Sequence, residues 1–430
     1  MSEIIKFEDV IDFYISGDWG NEESSDETPC AVSCVRGADI VPITNHNFTN
    51  IPTRYISARS LANHALQEGD IIIEKSGGSP TQSTGRVVYI SKELLESKTS
   101  IVCSNFCVAF RVKKEWNAKY IYYFLCNIYN TGAFFNFEGK TSGLKNLQVE
   151  AAFKAIPIKK IAIEEQTSIA NTLSTIESKL AVNRQINDNL EAMAKQLYDY
   201  WFVQFDFPND EGKPYKSSGG KMVWNDKLKR EIPEGWEVCN LSDYLHVFTE
   251  RVPASTVDEN TKYAPIEVLP RKKMSFNECA PIENAVSGLC AFQKKNILLS
   301  NRRVYFHKVC IAAFNGITRD TVIVLKPLNT ELLGYAYQLV NDDVFIEFAT
   351  RHSYGSEQPV LSWESAKTYK VLKPNASLDT VYSKHVSSLI DCVIKNELEI
   401  ATLTRQRDEL LPLLMNGQVT VNYHLSANLK

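Results

Sequence analysis

The chain has 430 residues and a net charge of −4, so two or more globular units are expected and any nucleic-acid affinity must come from local Lys and Arg groups. The closest pairs among the ten cysteines, Cys30/Cys34 and Cys103/Cys107, lack a second pair at the spacing that a zinc site needs, which predicts buried, reduced thiols. There is no apolar core of a secretory signal, and the longest apolar stretch is far shorter than the ~20 residues of a membrane crossing. We therefore expect a cytoplasmic protein without membrane contact.

The first informative segment is GDIIIEKSGGSPTQSTGRVVYI, at residues 69–90, which predicts two strands joined by a polar turn. Apolar and polar residues alternate on both sides of a Gly-Gly-Ser-Pro sequence, which is typical of a hairpin. An ordinary hairpin with a solvated tip would have the same pattern. If the turn faces DNA, its candidate donors to phosphates and base edges are Lys75, Ser76, Ser79, Gln82, Thr84 and Arg86.

A second polar loop, NFEGKTSGLKNL, lies at residues 136–147, just before a long helical pattern. Its glycines, hydroxyls and lysines are typical of a loop that faces a nucleic-acid groove. The candidate DNA contacts in it are Lys140, Thr141, Ser142 and Lys145.

From about residue 164 to 201, apolar residues recur at alternating steps of four and three, which predicts a helix with a coiled-coil seam. The apolar seam positions are Ile169, Leu173, Ile176, Leu180, Leu190, Leu197 and Trp201. The other seam positions hold Asn183, Asn187 and Ala194. A buried Asn fixes helix register when it has a partner, although a solvated kink or a water-bound position would look the same.

Residues 206–232 are rich in Gly, Pro, Ser and charge, which predicts an exposed linker before a second globular part. In that part, NILLSNRRVYFHK at 296–308 offers Asn301, Arg302, Arg303 and His307 as candidate DNA contacts. Adjacent arginines suit bidentate contacts to guanine or phosphate, although a surface ion pair would look the same. A further loop at 349–361 adds Arg351, His352, Ser353, Tyr354 and Gln358.

A second seam follows at Val386, Leu389, Val393, Ile400, Leu403, Leu410 and Leu414, interrupted by Asn396 and Arg407. Neither helix can bury such a stripe alone, so pairing of the two helices within the chain is favoured. Because a globular part separates them, the second helix can run antiparallel to the first. Packing against their own domains, or coiled coils between molecules, remain alternatives.

The two halves are also related as an internal repeat. Pairs of similar residues lie 214 positions apart: Val108 and Val322, Leu147 and Leu361, Glu150 and Glu364, Ile176 and Ile390, Ile186 and Ile400, and Leu197 and Leu411. Nearer the start of each half the offset becomes 226, between GDIII at Gly69 and KNILL at Lys295. A duplication is indicated, with a β-rich part followed by a long helix in each half.

Catalytic signatures are not found in the sequence. The seven His residues form no HExxH pattern, and no Gly-rich loop matches a P-loop or a dinucleotide fingerprint. Signatures of adenine methyltransferases and helicases are missing as well. The sequence therefore predicts a non-catalytic protein without a metal site of its own.

These segments resemble the specificity subunits of type I restriction-modification systems. The resemblance rests on GDIIIEKSGGSPTQSTGRVVYI, on the run from EEQTSIANTLSTIESKL to AKQLYDYWFVQFDFP, on PEGWE, and on RDELLPLLMNGQV near the end. It covers essentially the whole chain, and the first helix with its YDYWF end is its most specific part. Two departures are the lack of a clear KSGGSPTQ counterpart in the second half and a second helix that matches poorly beyond Ile400.

The resemblance implies an α+β fold with two β-rich target-recognition domains separated by two long helices, which form an antiparallel intramolecular coiled coil. The implied segments are target-recognition domain 1 (1–160), spacer helix 1 (161–205), a linker (206–232), target-recognition domain 2 (233–375), spacer helix 2 (376–418) and a tail (419–430).

The implied function is to read an asymmetric, gapped, bipartite target in double-stranded DNA. Two methyltransferase subunits would dock on the conserved regions, with restriction and translocase subunits joining through the complex. S-adenosylmethionine, ATP and Mg²⁺ would belong to these partners, and this chain would hold no cofactor. The alternatives are a coiled-coil adaptor that binds proteins, an enzyme of unrecognised type, and an orphan specificity subunit.

Overall fold

The computed structural model describes residues 3–78, 82–141, 144–375 and 377–421. Two compact units divide the chain, one formed by Met1–Ala181 with Arg405–Lys430 and the other by Val182–Thr404. Both units mix helices and strands, as predicted. Among the described residues, every helix is too short or too polar to span a bilayer.

The first unit holds twelve described strands: β1 (Ile4–Lys6), β2 (Ile11–Ser16), β3 (Cys30–Val35), β4 (Thr53–Ile56), β5 (Ile71–Glu74), β6 (Ser76–Gly77), β7 (Val87–Tyr89), β8 (Ile101–Cys103), β9 (Cys107–Val112), β10 (Glu138–Thr141), β11 (Leu144–Leu147) and β12 (Pro157–Lys159). Its helices are α1 (Ile40–Thr44), α2 (Ala58–His64), α3 (Lys92–Ser97), α4 (Ala118–Asn130), α5 (Val149–Ala155), the first half of α6 (Ile163–Tyr198), and the end of the last long helix from Arg405 onward.

The central sheet of the first unit has the order β2-β9-β5-β7, with antiparallel neighbours. Ile71 and Ile73 pack into the core formed with α4, α5 and α6, whereas Ile72 packs into a second core on the other face. All four residues of β5 are buried, and β5 pairs antiparallel with β7, as the predicted hairpin requires. A strand covered on both faces carries a continuous apolar run.

The strands of the second unit are β13 (Met222–Asn225), β14 (Arg230–Pro233), β15 (Glu237–Asn240), β16 (Leu245–Val247), β17 (Ser275–Phe276), β18 (Leu289–Phe292), β19 (Ile297–Ser300), β20 (Val309–Ala312), β21 (Gly316–Arg319), β22 (Val322–Pro327) and β23 (Lys370–Lys373). Its helices are α7 (Leu333–Asn341), α8 (Asp343–Arg351), α9 (Trp363–Ala366), the second half of α6, and α10 (Leu378–Met415) up to Thr404.

The second unit repeats the strand order of the first. Its central sheet runs β16-β22-β19-β20, with β17 added at one edge. The pair β15 and β23 corresponds to β1 and β12. The predicted repeat is therefore present in the fold.

One predicted correspondence in the repeat is wrong by one residue. Ile71 lies opposite Phe110 in the first unit, and its counterpart Ile297 lies opposite Leu325. This register equates Val322 with Cys107 rather than with Val108. The difference matters because a shift of one residue moves every side chain of a strand to the other face of the sheet.

The predicted linker at 206–232 is not simply an exposed connector. Phe207 is buried and stacks on Tyr215 and Trp236, with ring centroids 4.6 and 5.2 Å apart. The hairpin of β13 and β14 follows and places Ile232 in the core of the second unit. Aromatic residues within a polar segment thus anchor it, because burying each ring stabilises the fold.

Both long helices contribute to both units, and each unit pairs a part of one with a part of the other. In the first unit Ile169 and Leu173 share a core with Leu411. In the second unit Val386 and Ala194 share a core. After Tyr198 the chain forms one π-helical segment, Asp199–Val203, which buries Trp201 and Phe202. A coiled coil over the full length of both helices stays a prediction.

The seam asparagines of the second unit have protein partners. The amide of Asn183 donates to Glu399 at 3.0 Å, and the amide of Asn187 donates to Glu397 at 2.8 Å. Asn396 donates to the side-chain oxygen of Asn187 at 2.9 Å. These bonds cross from α6 to α10 and favour the register role over a water-bound position.

All ten cysteines are free thiols. The expectation that they are buried is wrong for Cys279 and Cys392, which are exposed. No group of His, Cys, Asp and Glu that could hold a metal ion occurs among the described residues.

Candidate nucleic-acid interface

The two polar loops predicted in the first half meet in one small sheet. Strand β6 pairs with β11, so that Ser76 lies opposite Asn146 and Gly77 opposite Lys145. The N–H of Leu147 donates to the carbonyl of Lys75 at 2.8 Å. Segments about 70 residues apart in sequence thus form one polar surface.

The two polar loops of the second half meet in the same way. The N–H of Leu361 donates to the carbonyl of Asn301 at 2.8 Å. Arg302 and Val360 form an antiparallel β-bridge, and the N–H of Arg303 donates to the carbonyl of Pro359 at 2.9 Å. The same bonds join the equivalent residues of the first unit. The segment that begins at Asn301 is therefore the counterpart of the KSGG turn, which sequence comparison alone does not reveal.

The matched bonds place Gly77 and Arg303 at equivalent positions. Gly77 has φ 149° and Gly78 has φ 73°, which glycine adopts freely. Arg303 has φ 49° and His307 has φ 52°, a left-handed conformation that non-glycine residues seldom adopt. The second loop therefore holds a strained backbone conformation, a feature that clusters at functional sites.

Several predicted contact residues lie on the surface of these loops. Exposed side chains are found at Lys75, Gln82, Arg302, Arg303, Arg351, His352 and Tyr354. The Arg302 guanidinium donates to Gln358 at 3.2 Å, a bond between the two loops. The Arg351 side chain forms an ion pair with Glu347, and His352 stacks on Phe348 at 3.9 Å. Ser76 is half-buried, and its hydroxyl contacts the side chain of Asn146.

Thr84 and Arg86 were predicted to contact DNA and are instead internal supports. Thr84 is fully buried, and its N–H and hydroxyl donate to one oxygen of Glu138 at 2.7 and 2.9 Å. Arg86 forms a two-bond ion pair with the buried Glu74, and these bonds raise the pKa of Arg86. Both side chains are committed to carboxylates below the loop, so neither can reach a phosphate or base without losing that bond.

Lys145 and His307 are likewise turned inward. The Lys145 side chain is only 13% exposed, with Glu138 at 3.4 Å and the carbonyl of Gln82 at 3.1 Å. His307 is buried between Asn341, at 3.0 Å from Nε2, and Asp343, at 3.2 Å from Nδ1. We therefore assign both residues to holding the loops in place.

The remaining predicted residues of the loops are either partly buried or outside the description. Asn301 is half-buried and donates its amide to the carbonyl of Asp320 at 2.7 Å. Residues outside the described part of the chain are Ser79 and Ser142, and only the backbone is described for Lys140 and Thr141.

Four residues that lie beside the first loop were not predicted from the sequence. Trp19, Arg36, Asn105 and Phe106 border a cavity of about 670 Å³ together with Ser76 and Gly77. They belong to three segments distant in sequence, so no local pattern links them. An internal comparison of the two repeats, made with the register corrected, could have drawn attention to Phe106.

Residues 38–192 match the family model described as the type I restriction modification DNA specificity domain. The chain is 25% identical over 410 residues to the type I restriction enzyme MjaIX specificity subunit of Methanocaldococcus jannaschii, with 90% of this chain and 88% of that protein covered. It is 21% identical over 313 residues to the type I restriction enzyme HindI specificity subunit of Haemophilus influenzae, with 60% and 67% covered.

Among solved structures, the fold is similar to the crystal structure of the type I restriction-modification system S subunit from M. genitalium. The TM-score is 0.55 at 16% identity, with 96% of each chain covered. The resemblance to the specificity subunits of type I restriction-modification systems is thus found in the sequence, through the match of residues 38–192 and the two relatives, and the fold is similar to that of one such subunit.

Proposed function

We propose that this chain is the non-catalytic DNA-recognition subunit of a type I restriction-modification complex, and that each unit reads one half of an asymmetric, gapped target. One observation carries the proposal. Each unit joins two distant polar loops through the same backbone bond, from Leu147 to Lys75 and from Leu361 to Asn301. The side chains of the two equivalent loop pairs differ, which suits two half-sites of unlike sequence.

The division of labour between side chains follows from their chemistry. Lys75 carries a flexible point charge at the surface of the first loop and suits a phosphate oxygen. Arg302 is exposed and donates one hydrogen bond to Gln358, and a guanidinium suits two acceptors on one guanine. Tyr354, which is 62% exposed, offers an aromatic face and a hydroxyl to the same half-site.

The spacer helices would set the gap between the half-sites, with domains at 1–160 and 233–375 as the two readers. The bonds of Asn183 and Asn187 support a defined helix register. Inserting one heptad into each helix, at facing positions, should lengthen the gap in the selected target and leave both half-sites unchanged. An unchanged gap in a folded variant would refute this role of the helices.

The methyltransferase subunits, two in number, would dock on the helices, and restriction and translocase subunits would join through the complex. S-adenosylmethionine, ATP and Mg²⁺ would act in those partners. An apolar stripe on α6 in the second unit supports a docking role, because Val182, Ile186 and Met193 lie on one helix face and remain exposed.

The deciding experiment is selection of duplexes from a random DNA library by this protein assembled with its methyltransferase partner, followed by sequencing. Enrichment of two unlike half-sites at a constant gap is expected, together with affinity that falls with salt. If an assembled complex selects no motif and its binding does not respond to salt, the protein-binding adaptor replaces the DNA-recognition function.

A further inference from the structure

Phe106 is an exposed aromatic residue whose backbone is hydrogen-bonded to the first polar loop. It lies in the turn between β8 and β9, and 59% of its surface is exposed. Its carbonyl accepts the N–H groups of both Lys75 and Ser76 at 2.9 Å, and the turn is closed by a bond from Cys107 N–H to Ser104 O, also 2.9 Å. The ring is therefore carried on a rigid backbone next to the side chains proposed to meet DNA.

The surroundings of the ring resemble a recognition pocket rather than plain surface. Phe106 borders the cavity of about 670 Å³, which also contacts Trp19, Arg36 and Ser76. The side-chain oxygen of Asn105, the residue before Phe106, accepts a hydrogen bond from the backbone N–H of Trp19 at 3.2 Å. This bond holds the Trp19 side of the cavity against the turn. An apolar wall with a few polar groups and a cation at its edge is typical of a site that receives an apolar group on a polar ligand.

The second unit has a different residue at the equivalent position. The carbonyl of Thr321 accepts the N–H of Asn301 at 3.0 Å, as that of Phe106 accepts the N–H of Lys75. The backbone role is thus the same, while the side chain changes from a phenyl ring to a half-buried threonine. At this position the backbone bond is the same in both units and the side chain differs. The two units would therefore differ in DNA specificity here.

We infer that Phe106 is a specificity-determining residue of the first unit, whose ring contacts the 5-methyl group of a thymine in its half-site. The inference rests on the proposed function. The thymine methyl is the apolar group that base edges present in the major groove, and Phe is among the residues that contact it. The cavity beside the ring leaves room for the methyl group and the edge of its base.

The test compares the wild-type chain with Phe106→Ala and Phe106→Leu, each assembled with the methyltransferase partner and used to select duplexes from a random library. Phe106→Ala should relax a thymine preference at one position of one half-site by about fivefold, with the other half-site and the gap unchanged. Phe106→Leu should retain part of the preference because it keeps an apolar side chain. Phe13→Ala, at an exposed ring of the same unit, is the matched control and should leave the motif unchanged.

Replacing that thymine by uracil provides the second arm. The loss of the methyl group should weaken binding of the wild-type complex by about fourfold and leave the Phe106→Ala complex unaffected. An identical motif from Phe106→Ala, or equal wild-type affinity for thymine and uracil, would overturn the inference while leaving the proposed function intact. Failure of the wild-type complex to select any motif would overturn both.

Discussion

The buried Glu74 and the partly buried Arg86 form an ion pair directly beneath the first polar loop. Nε of Arg86 lies 2.8 Å from Oε2 of Glu74 and Nη2 lies 2.5 Å from Oε1, while the Glu74 side chain is 2% exposed. A Cβ added to Gly37 or Gly77 would lie 2.6 Å from Oε1, so both backbones pass close over the carboxylate. The pair therefore supports the strand that carries Ser76.

Removing one partner of this pair should destabilise the first unit strongly. Arg86→Met leaves the Glu74 carboxylate buried and unpaired, and should lower the free energy of unfolding by roughly 3 kcal/mol in urea denaturation. The double variant Glu74→Met/Arg86→Met should recover part of the loss. Lys221→Met, which breaks an exposed pair with Glu234, is the control and should leave the stability close to that of the wild type, because exposed ion pairs contribute little. A loss below about 1 kcal/mol for Arg86→Met would contradict this role.

The seam network of the second unit should respond unequally to truncation. Asn187 bonds both Glu397 and Asn396, whereas one bond to Glu399 is described for Asn183. In thermal unfolding, Asn187→Ala should therefore lower the free energy of unfolding by about 2 kcal/mol and Asn183→Ala by about 1 kcal/mol. The loss arises because each substitution removes hydrogen bonds from buried polar groups. Equal effects of the two substitutions would argue against a network centred on Asn187.

The stability of the second unit should depend on pH through Glu191. Burial raises the pKa of Glu191 to about 7 against the opposing effects of a hydrogen bond from the backbone of Met274 and of the Lys273 charge. The folded state then binds more protons than the unfolded state between pH 4.5 and about 7, so stability falls as pH rises through this window. Glu191→Gln should be more stable than wild type by roughly 3 kcal/mol at pH 8 and nearly equal to it at pH 4. Glu283→Gln, at an exposed position, should reproduce the wild-type pH profile of the melting temperature.

Lys75 should contribute to DNA binding as a phosphate contact. Lys75→Gln should weaken binding of the assembled complex to all sequences alike and reduce the slope of log K against log salt by about 0.9, the value for one released counterion. Titrations at several salt concentrations measure the slope. Lys92→Gln, at an exposed lysine of α3, should leave it unchanged. A loss confined to one base position, with the slope retained, would make Lys75 a base reader instead.

The exposed stripe of α6 should govern assembly with the methyltransferase. Met193 is 54% exposed, so Met193→Asp should change stability by no more than about 0.5 kcal/mol. If the stripe is the docking face, the same substitution should weaken association by about 30-fold in calorimetric titration with the partner. Val286→Asp, which is also exposed and lies off the helix, is the control. Unchanged affinity for Met193→Asp would place docking elsewhere.

The long helices and the repeat could be predicted from the sequence because both depend on local or periodic patterns. The seam at Asn183, Asn187 and Ala194 follows from spacing alone, and all three residues are buried. The pairing of Leu147 with Leu361 across the repeat follows from one constant offset and agrees with their matched backbone bonds. Such patterns survive in a single chain because helix geometry repeats every few residues.

The tertiary structure determines which polar side chains of the loops are exposed. Thr84 and Arg86 looked like surface groups of a polar turn, but Glu138 and Glu74 hold them below it. Phe106 directly precedes the apolar strand β9, yet its ring is exposed. The exposure of a side chain depends on partners from other strands, 54 residues away in the case of Thr84, and nothing in the local pattern encodes which partner arrives. Composition and periodicity determined which segments form the helices and loops, and the packing of distant strands determined which side chains those loops present.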